Sequence, residues 1–352
     1  MQDKLFFNPN QEERKAVSHL RRVFAKELER HPRINTHWYL LRFVRARQWK
    51  MKKVEKMFNE YLEWRDAEVV RNIDQYTKED LAPITDVHVR GIYGTTKEGL
   101  PIAIERINQT DIQAFLNPEL DDLRKDYFFN MYERFLHIVY PMASVKKGKC
   151  VDGLFVIYDL KGVNFSKIFN SNFKKYIKFL IGLVQSNYPE ILSKMFIVNA
   201  SSSFVFIWNI MKWWMDKVTR SKIEVYKGTP LNKIEKYIDI DQIPDFFGGN
   251  CKEKLEDNHG PWKEMIDRSY EIKSFDLEDR TPEYQYYYTK EEYEQIQESP
   301  KKKSKINTNK TETYEQTNTL DMSYGQNSEG GIGKIHTLNV RIKQHSIKNI
   351  KL

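Results

Sequence analysis

The chain has 352 residues, with 57 Lys and Arg against 49 Asp and Glu, and is long enough to bury a sizeable core in one large or two small domains. No run approaches the 18 or so uninterrupted apolar residues of a membrane span, and the first residues lack the apolar region of a signal peptide. The two cysteines, Cys150 and Cys251, are too few for a disulfide framework or a metal cluster. They indicate plain thiols in a reducing compartment, so we expect a cytoplasmic protein.

The first part of the chain has helical periodicity. The segments "NQEERKAVSHLRRVFAKEL" (10–28) and "MKKVEKMFNEYLEWRDAEVV" (51–70) repeat apolar residues at helical spacing. Between them, "NTHWYLLRFVRARQW" (35–49) starts with Asn35-Thr36, a pair typical of a helix N-cap. These patterns predict an all-helical N-terminal module over residues 1–83.

From about residue 84 the pattern changes to short apolar runs separated by long helical segments. The strand-like runs are 88–94, 101–107, 153–160, 195–200 and 222–227, and the helical segments include 122–140 and 166–188. This alternation predicts an α/β domain over 84–255, with a sheet covered by helices and several crossover connections. The Gly-Gly of "DFFGGN" (245–250) indicates a turn that closes the domain. We expect residues 256–298 to be a C-terminal extension that packs on it.

One helical segment, "SSSFVFIWNIMKWWMDKVT" (201–219), is unusually apolar. Among residues 204–215, ten are apolar and five are aromatic. Asn209, Lys212 and Asp216 share one narrow strip of a helix, so only that strip is expected to face water. Three interpretations are open: a buried core helix, a protein interface, or a cover over an apolar cavity that touches a bilayer. The adjacent Trp213 and Trp214 favour the cover, because indoles prefer the membrane–water boundary.

The C-terminal end carries most of the net charge. Residues 300–352 hold ten Lys and Arg against four Asp and Glu, which leaves 47 against 45 for the rest of the chain. A nearly neutral body argues against a nucleic-acid partner. Residues 299–352 are rich in Asn, Thr, Lys and Gly, and we expect a mostly disordered basic tail. The last stretch, 333–352, regains Ile, Leu and Val, which leaves a strand or a membrane-touching segment open beside an unstructured end.

Sequence motifs of catalytic sites are missing. The chain has no Gly-x-Ser-x-Gly, His-Glu-x-x-His or Cys-x-x-Cys, and "GGIGK" (330–334) lacks the first Gly and the final Ser or Thr of a phosphate loop. The eight histidines lie without ligand spacing. Asp159 and Lys161 at a strand end favour a turn over a catalytic pair. We expect no enzymatic activity, no catalytic residues, no metal and no cofactor.

Several of these segments, taken together, resemble the CRAL-TRIO lipid-binding family, in particular its phosphatidylinositol transfer proteins. The segments that carry the resemblance are "LLRFVRARQW" (40–49), "GLPIAIERI" (99–107), "YDLKGVNFS" (158–166), "NYPE" (187–190), "FIVNA" (196–200), the aromatic helix, "DKVTRSKI" (216–223) and "IPDFFGGNCK" (243–252). They follow the family's order over residues 10–252. The resemblance implies a mixed five-stranded sheet that floors an apolar pocket under a helical gate, preceded by an all-helical module.

The resemblance also implies a head-group site and a gate. The head-group residues would be Arg47, Glu190, Thr219 and Lys222. Lys222 and Thr219 would contact phosphate or inositol, Glu190 would orient Lys222, and Arg47 would neutralise the phosphate region. The gate helix and pocket lining would consist of Phe204, Phe206, Ile207, Trp208, Ile210, Met211, Trp213 and Trp214, with an inner face on the pocket and an outer face that enters the membrane.

The function implied by the resemblance is lipid exchange. The ligand would be phosphatidylinositol, carried by a monomer between cytoplasmic membrane surfaces with transient, peripheral membrane contact, and presented to lipid kinases. Leu154 and Val156 stand where members that also bind choline lipids carry small hydroxyl residues, so phosphatidylcholine is not expected as a second ligand. Two alternatives stay open: a carrier of a small isoprenoid or sterol-like hydrophobe, and a lipid-sensing regulatory scaffold whose tail recruits partners.

Overall fold

The structure, a computed structural model, describes residues 7–67, 76–255, 260–271 and 287–298. The tail predicted for residues 299–352 lies outside the described residues, and so does part of the predicted extension. Two pieces of that extension are described, and both contact the rest of the fold. Trp262 is buried and donates to the carbonyl of Gly94 at 2.6 Å, and the Tyr287 ring lies 4.3 Å from the Trp38 ring in an edge-to-face contact.

The N-terminal segment is helical, as its periodicity predicts. Its helices are α1 (Gln11–Val23), α2 (Ala25–Arg30), α3 (His37–Ala46), α4 (Met51–Ala67) and α5 (Lys78–Thr85). Thr36 is the N-cap of α3, and its hydroxyl accepts from the Tyr39 backbone N–H at 3.1 Å. Aromatic rings fill the seam between these helices, with Phe58 in edge contact with Phe24 and Phe43 at 5.2 and 4.9 Å.

The described strands form the mixed five-stranded sheet that was predicted. They are β1 (Arg90–Thr95), β2 (Pro101–Arg106), β3 (Leu154–Asp159), β4 (Leu192–Val198) and β5 (Ile223–Val225), and they lie in that order across the sheet. Strands β1 and β2 are antiparallel, whereas β2 to β5 are parallel. Parallel neighbours need long crossovers.

Helices provide the crossovers and flank the sheet. Between β2 and β3 lie α6 (Ile112–Phe115), α7 (Asp121–Arg134) and α8 (Tyr140–Lys147); between β3 and β4 lie α9 (Phe165–Ile168) and α10 (Ser171–Asn187); between β4 and β5 lie α11 (Ser202–Met211) and α12 (Lys217–Ser221). The chain continues through α13 (Leu231–Ile234), and further along come α14 (Trp262–Glu271) and α15 (Lys290–Glu298).

The two faces of the sheet are packed differently. On β3, Phe155 and Ile157 belong to a closed apolar layer formed with α13 and the chain after it. Their neighbours Leu154, Val156 and Tyr158 point to the opposite face and line a cavity. Because side chains alternate along a strand, a single strand supplies both a packed core and a cavity floor.

The helix predicted over 122–140 is longer and less regular than its periodicity indicates. Between α7 and α8 the backbone forms a wider, π-helical stretch over Phe135–Val139. Pro141, in the first turn of α8, has no N–H to donate to the carbonyl four residues earlier, and its ring would clash with that carbonyl in a regular helix. The wider turn relieves both problems.

A buried ion pair joins the helical module to the α/β domain. Arg65 of α4 forms two hydrogen bonds to Glu133 of α7, Nη1 to Oε1 at 3.0 Å and Nη2 to Oε2 at 3.2 Å, with side-chain exposures of 8% and 1%. Tyr188 also donates to Glu133 Oε1, at 3.1 Å. Burial opposes ionisation of Glu133, but the charge of Arg65 and the contact with His137 outweigh it and hold the pKa of the carboxyl far below its usual range.

Glu133→Gln is therefore expected to lower the free energy of unfolding at pH 7 by about 3–5 kcal/mol, because it leaves the Arg65 charge buried without a counter-charge. Since the folded pKa of Glu133 is depressed, its stabilisation is complete above the unfolded value of about 4.3 and is lost as the pH falls toward the folded value. Urea titrations across this range should show the difference between the two proteins narrowing in acid.

The exposed Lys56–Glu60 pair of α4 supplies the control, since its atoms lie 3.8 Å apart in solvent. Glu60→Gln should change stability by no more than about 0.5 kcal/mol. Equal effects of Glu133→Gln and Glu60→Gln would contradict the importance assigned to the buried pair.

Candidate functional site

An apolar cavity of about 220 Å³ lies between the sheet and helices α7, α10 and α11. Its floor consists of Ala103, Leu154, Val156, Met195, Ile197 and Ile223; its walls include Phe128, Met131, Phe173, Ile177, Leu180 and Val184; its cover includes Phe204, Trp208 and Met211. Protein interiors leave few voids larger than a water molecule. A void of this size under one helix is therefore a candidate chamber for an apolar ligand.

The eight residues predicted for the gate helix and pocket lining separate into an inner and an outer set. Phe204, Trp208 and Met211 line the cavity, and Ile207 is buried beside them. The outer set is exposed to solvent: Phe206 at 69%, Ile210 at 42% and Trp213 at 70%. Trp214 is half-buried, with the Lys178 ammonium 5.1 Å from its ring centre.

The polar strip predicted for this helix is wrong. Helix α11 ends at Met211, a 3₁₀ turn spans Lys212–Trp214, and Asp216 becomes the N-cap of α12. Asp216 therefore does not continue the face of Asn209 and Lys212, which contact each other at 2.8 Å. Large apolar side chains face water together with the exposed Asn209, so the water-facing surface is not a narrow polar strip.

Gln185, near the end of α10, holds the turn that follows α11. Its amide nitrogen donates to the carbonyl of Trp214 at 3.3 Å, and its amide oxygen accepts from the backbone N–H of Asp216 at 2.5 Å. Sequence reasoning missed this residue, because a single glutamine in an apolar helix carries no local signal of its partner.

The four predicted head-group residues, Arg47, Glu190, Thr219 and Lys222, line one small pocket together with Asp216. Lys222 Nζ donates to Glu190 Oε2 at 3.0 Å, and both side chains are partly buried, at 22% and 28% exposure. The Thr219 hydroxyl donates to Asp216 Oδ2 at 2.8 Å. The fold thus brings together residues that lie up to 175 positions apart in the sequence.

This polar pocket adjoins the apolar cavity. Val184, Gln185, Ile191, Leu192 and Thr219 line both. Charged side chains thus lie at the N-terminal end of β4, beside a mostly apolar cavity over the sheet. Such an arrangement suits a molecule with a polar or charged head and an apolar body.

The loop that carries Glu190 is fixed from two sides. Tyr188 donates to Glu133, and Arg42 of α3 donates from Nε to the carbonyl of Pro189 at 3.1 Å. Directly after these two anchored residues, Glu190 adopts φ +62°, in the left-handed region that costs a non-glycine residue roughly 1–2 kcal/mol. Backbone strain of this kind persists where the surroundings enforce it and is common at binding sites.

Two charged residues inside the cavity, Arg90 and Glu105, were also missed by sequence reasoning. A signal was present: in "PIAIERI" (101–107), the period of two places Glu105 on the same face as Ala103, which lines the cavity.

Among the described residues, no helix combines the length and the apolarity needed to cross a membrane.

Comparisons with known proteins identify a domain family and relatives named as lipid transfer proteins. A family model of the CRAL/TRIO domain matches residues 87–249. The phosphatidylinositol/phosphatidylcholine transfer protein SFH7 of Arabidopsis thaliana is 33% identical over 231 residues, which cover 64% of this chain and 42% of SFH7. SFH11, with the same description and from the same plant, is 32% identical over 268 residues, which cover 73% of this chain and 69% of SFH11.

Among solved structures, the crystal structure of Sfh5 aligns with a TM-score of 0.50 and 14% identity, covering 76% of this chain and 99% of Sfh5. At that identity the likeness concerns the fold alone. The chain spans less than half the length of SFH7 and of two further relatives with the same description from that plant, SFH12 and SFH4.

Substitutions at Val156 and Ile157, which are adjacent on β3 and point to opposite faces of the sheet, test whether the cavity is open space. Val156→Phe should change the free energy of unfolding by less than about 1 kcal/mol because the added atoms enter open space, whereas Ile157→Phe should cost about 1–3 kcal/mol by overpacking the closed face. Denaturant unfolding of both variants measures the contrast. A larger cost for Val156→Phe than for Ile157→Phe would mean that the cavity face is already filled.

Proposed function

Because this chain belongs to the CRAL/TRIO domain family, we propose that it binds phosphatidylinositol in the apolar cavity and exchanges it between cytoplasmic membrane surfaces. The observation that supports the proposal best is the adjacency of two spaces: a pocket with two cations and two carboxylates shares lining residues with a cavity walled mostly by apolar side chains. The names of SFH7 and SFH11 describe lipid transfer of this type.

The apolar chamber is required by energetics. A diacyl lipid has about 30 methylene groups, and exposing each one to water costs about 0.8 kcal/mol, so roughly 25 kcal/mol opposes its escape into water. A carrier lowers this barrier by offering a dry space that opens only against the bilayer. It supplies no energy of its own, so it equilibrates lipid between membranes.

The composition of the small pocket favours a phosphoinositol head over a simple anion. Arg47 and Lys222 neutralise a phosphodiester, which is prohibitive to bury unpaired. Glu190 and Asp216 would repel a second negative charge, but they accept hydrogen bonds from the hydroxyls of an inositol ring. Thr219 lines both spaces and lies where head and tail would join.

The exposed apolar surface of α11 and of the turn that follows it is suited to contact a membrane. Phe206, Ile210 and Trp213 present apolar surface to solvent, and cations flank the indole, with Arg220 Cζ 4.7 Å and Lys212 Nζ 5.8 Å from its ring centre. Aromatic residues prefer the bilayer interface, and nearby cations are attracted to an anionic leaflet. Opening of α11 at such a surface would also present the lipid to a lipid kinase.

Phosphatidylcholine is not part of the proposal. SFH7 and its relatives carry both lipids in their names, but Leu154 and Val156 give this chain an apolar floor where a polar head would need hydrogen bonds.

The head-group site is tested by Lys222→Gln, which keeps a polar side chain, one atom shorter, but removes its charge. Phosphatidylinositol affinity should fall about 10- to 150-fold, since a charge-assisted hydrogen bond contributes about 1.5–3 kcal/mol. Transfer of radiolabelled phosphatidylinositol between liposomes measures the effect. Lys227→Gln, at an exposed lysine beyond the other end of β5, is the matched control, and equal transfer by both variants would reject the site.

The membrane-contact face is tested by the double substitution Phe206→Ala/Trp213→Ala. Both side chains are exposed, so stability should change by no more than about 0.5 kcal/mol per site, and the amount of lipid bound per protein should stay the same. The transfer rate should fall because less apolar area enters the interface. Val145→Ala, at another exposed apolar residue, should leave the rate unchanged, and a normal rate in the double variant would contradict the assignment.

A further inference from the structure

The turn between α3 and α4 holds an exposed tryptophan on an unusual backbone. Gln48 and Trp49 adopt φ +50° and +61°, so two consecutive residues with side chains occupy the left-handed region that glycine favours. The Trp49 backbone N–H donates to the Val44 carbonyl at 3.1 Å, which is the hydrogen bond of a Schellman motif at the end of a helix. Trp49 is 37% exposed. The fold thus keeps a large aromatic ring at the surface, in a turn that glycine would form with less strain.

The same turn is strongly basic. Residues 45–53, "RARQWKMKK", contain five cations and no carboxylate. One of them, Arg45, pairs with Glu13 at 3.0 Å. Among the described residues the other four have no ion-pair partner, and three of the four are exposed: Lys50, Lys52 and Lys53. These three surround the start of α4, where the helix dipole disfavours positive charge, so helix stability does not account for them.

This turn and the turn after α11 adjoin the same polar pocket. Arg47, directly before the first turn, lines the pocket, and so does Asp216, which follows the turn that contains Trp213. Beyond Asp216, α12 carries the exposed Lys217 and also Arg220, whose Cζ lies 4.7 Å from the Trp213 ring centre. Two exposed tryptophans from different parts of the chain, each beside cations, therefore lie next to one pocket.

The combination of indoles and cations is complementary to a bilayer surface that contains anionic phospholipid. Indole rings prefer the membrane–water interface, and lysine side chains lay their apolar stems on that interface while the ammonium groups reach the phosphates. An acidic protein would be attracted by the cations, but it gives no reason for two separate exposed indoles beside the pocket. The chemistry on this surface favours the membrane as its partner.

We propose that the α3–α4 turn is a second membrane-contact surface, in which Trp49 enters the interface while Lys50, Lys52 and Lys53 bind the head groups of an anionic leaflet. Together with Trp213, it holds the polar pocket against the membrane. The helical module then takes part in docking. The inference deepens the proposed function and rests on it, because it states the class of membrane on which the carrier docks.

The test measures binding of the full chain to vesicles of phosphatidylcholine, with and without phosphatidylserine, by co-sedimentation. Wild type should bind the anionic vesicles more tightly, and added salt should weaken that binding. Lys50→Gln/Lys53→Gln should lower the affinity for anionic vesicles about 25-fold, which is about fivefold or about 1 kcal/mol for each charge. Trp49→Ala should lower the affinity for both kinds of vesicle, because the apolar area of the indole is lost in each case.

Lys233→Gln/Lys236→Gln is the matched control. Both lysines are exposed, on α13 and directly after it, in the layer that covers the face of the sheet opposite the cavity. This variant loses the same charge and should bind vesicles as the wild type does. Equal losses in the two double variants would mean that net charge alone matters, and the proposal would then be wrong.

Two further outcomes separate the alternatives. Vesicle binding at the wild-type level in both Lys50→Gln/Lys53→Gln and Trp49→Ala would overturn the proposal, and a loss of binding to polyglutamate in the same lysine variant would assign the surface to an acidic protein. Normal docking on anionic vesicles without any transfer of phosphatidylinositol would count against the proposed function and leave the docking surface supported.

Discussion

The buried carboxylate of Glu133 is the interaction on which the placement of the site depends. It is tolerated in the interior because Arg65, Tyr188 and His137 supply charge and hydrogen bonds. Arg65 belongs to the helical module, and Tyr188 begins the loop that carries Glu190. Helix α4, helix α7 and the loop after Tyr188 therefore meet at Glu133. Arg42 of α3 holds the same loop by its hydrogen bond to Pro189. The helical module thus helps to position the loop that carries Glu190 of the polar pocket.

The cavity destabilises the fold, since the side chains that line it make fewer packing contacts than side chains in a filled core. A void loses dispersion attraction from every atom that lines it, so the surrounding layers have to compensate. The other face of the sheet is closed by a dense apolar layer, and the helical module is filled with aromatic contacts. The cavity over β3 is one place where the described structure forgoes such contacts, and an apolar ligand could supply them.

Much of the fold was predictable from periodicity, because strands and helices alternate with clear spacing. The convergence of Arg47, Glu190, Thr219 and Lys222 came from the resemblance, and no local pattern gives their distances. The end of α11 was missed because Lys212, Trp213 and Trp214 show no helix-stop signal, although Asp216 with Thr219 three residues later is a readable cap. The Arg65–Glu133 contact links residues 68 positions apart, which local spacing cannot indicate.

The left-handed backbone at Glu190 places fold and function in opposition. Glycine adopts that conformation without penalty, so glycine would give the loop its lowest backbone strain. Glu190 adopts the strained left-handed conformation, and its carboxylate accepts a hydrogen bond from Lys222. Selection for thermal stability alone would favour glycine at this position, and the stabilised protein would lack one carboxylate of the proposed head-group site.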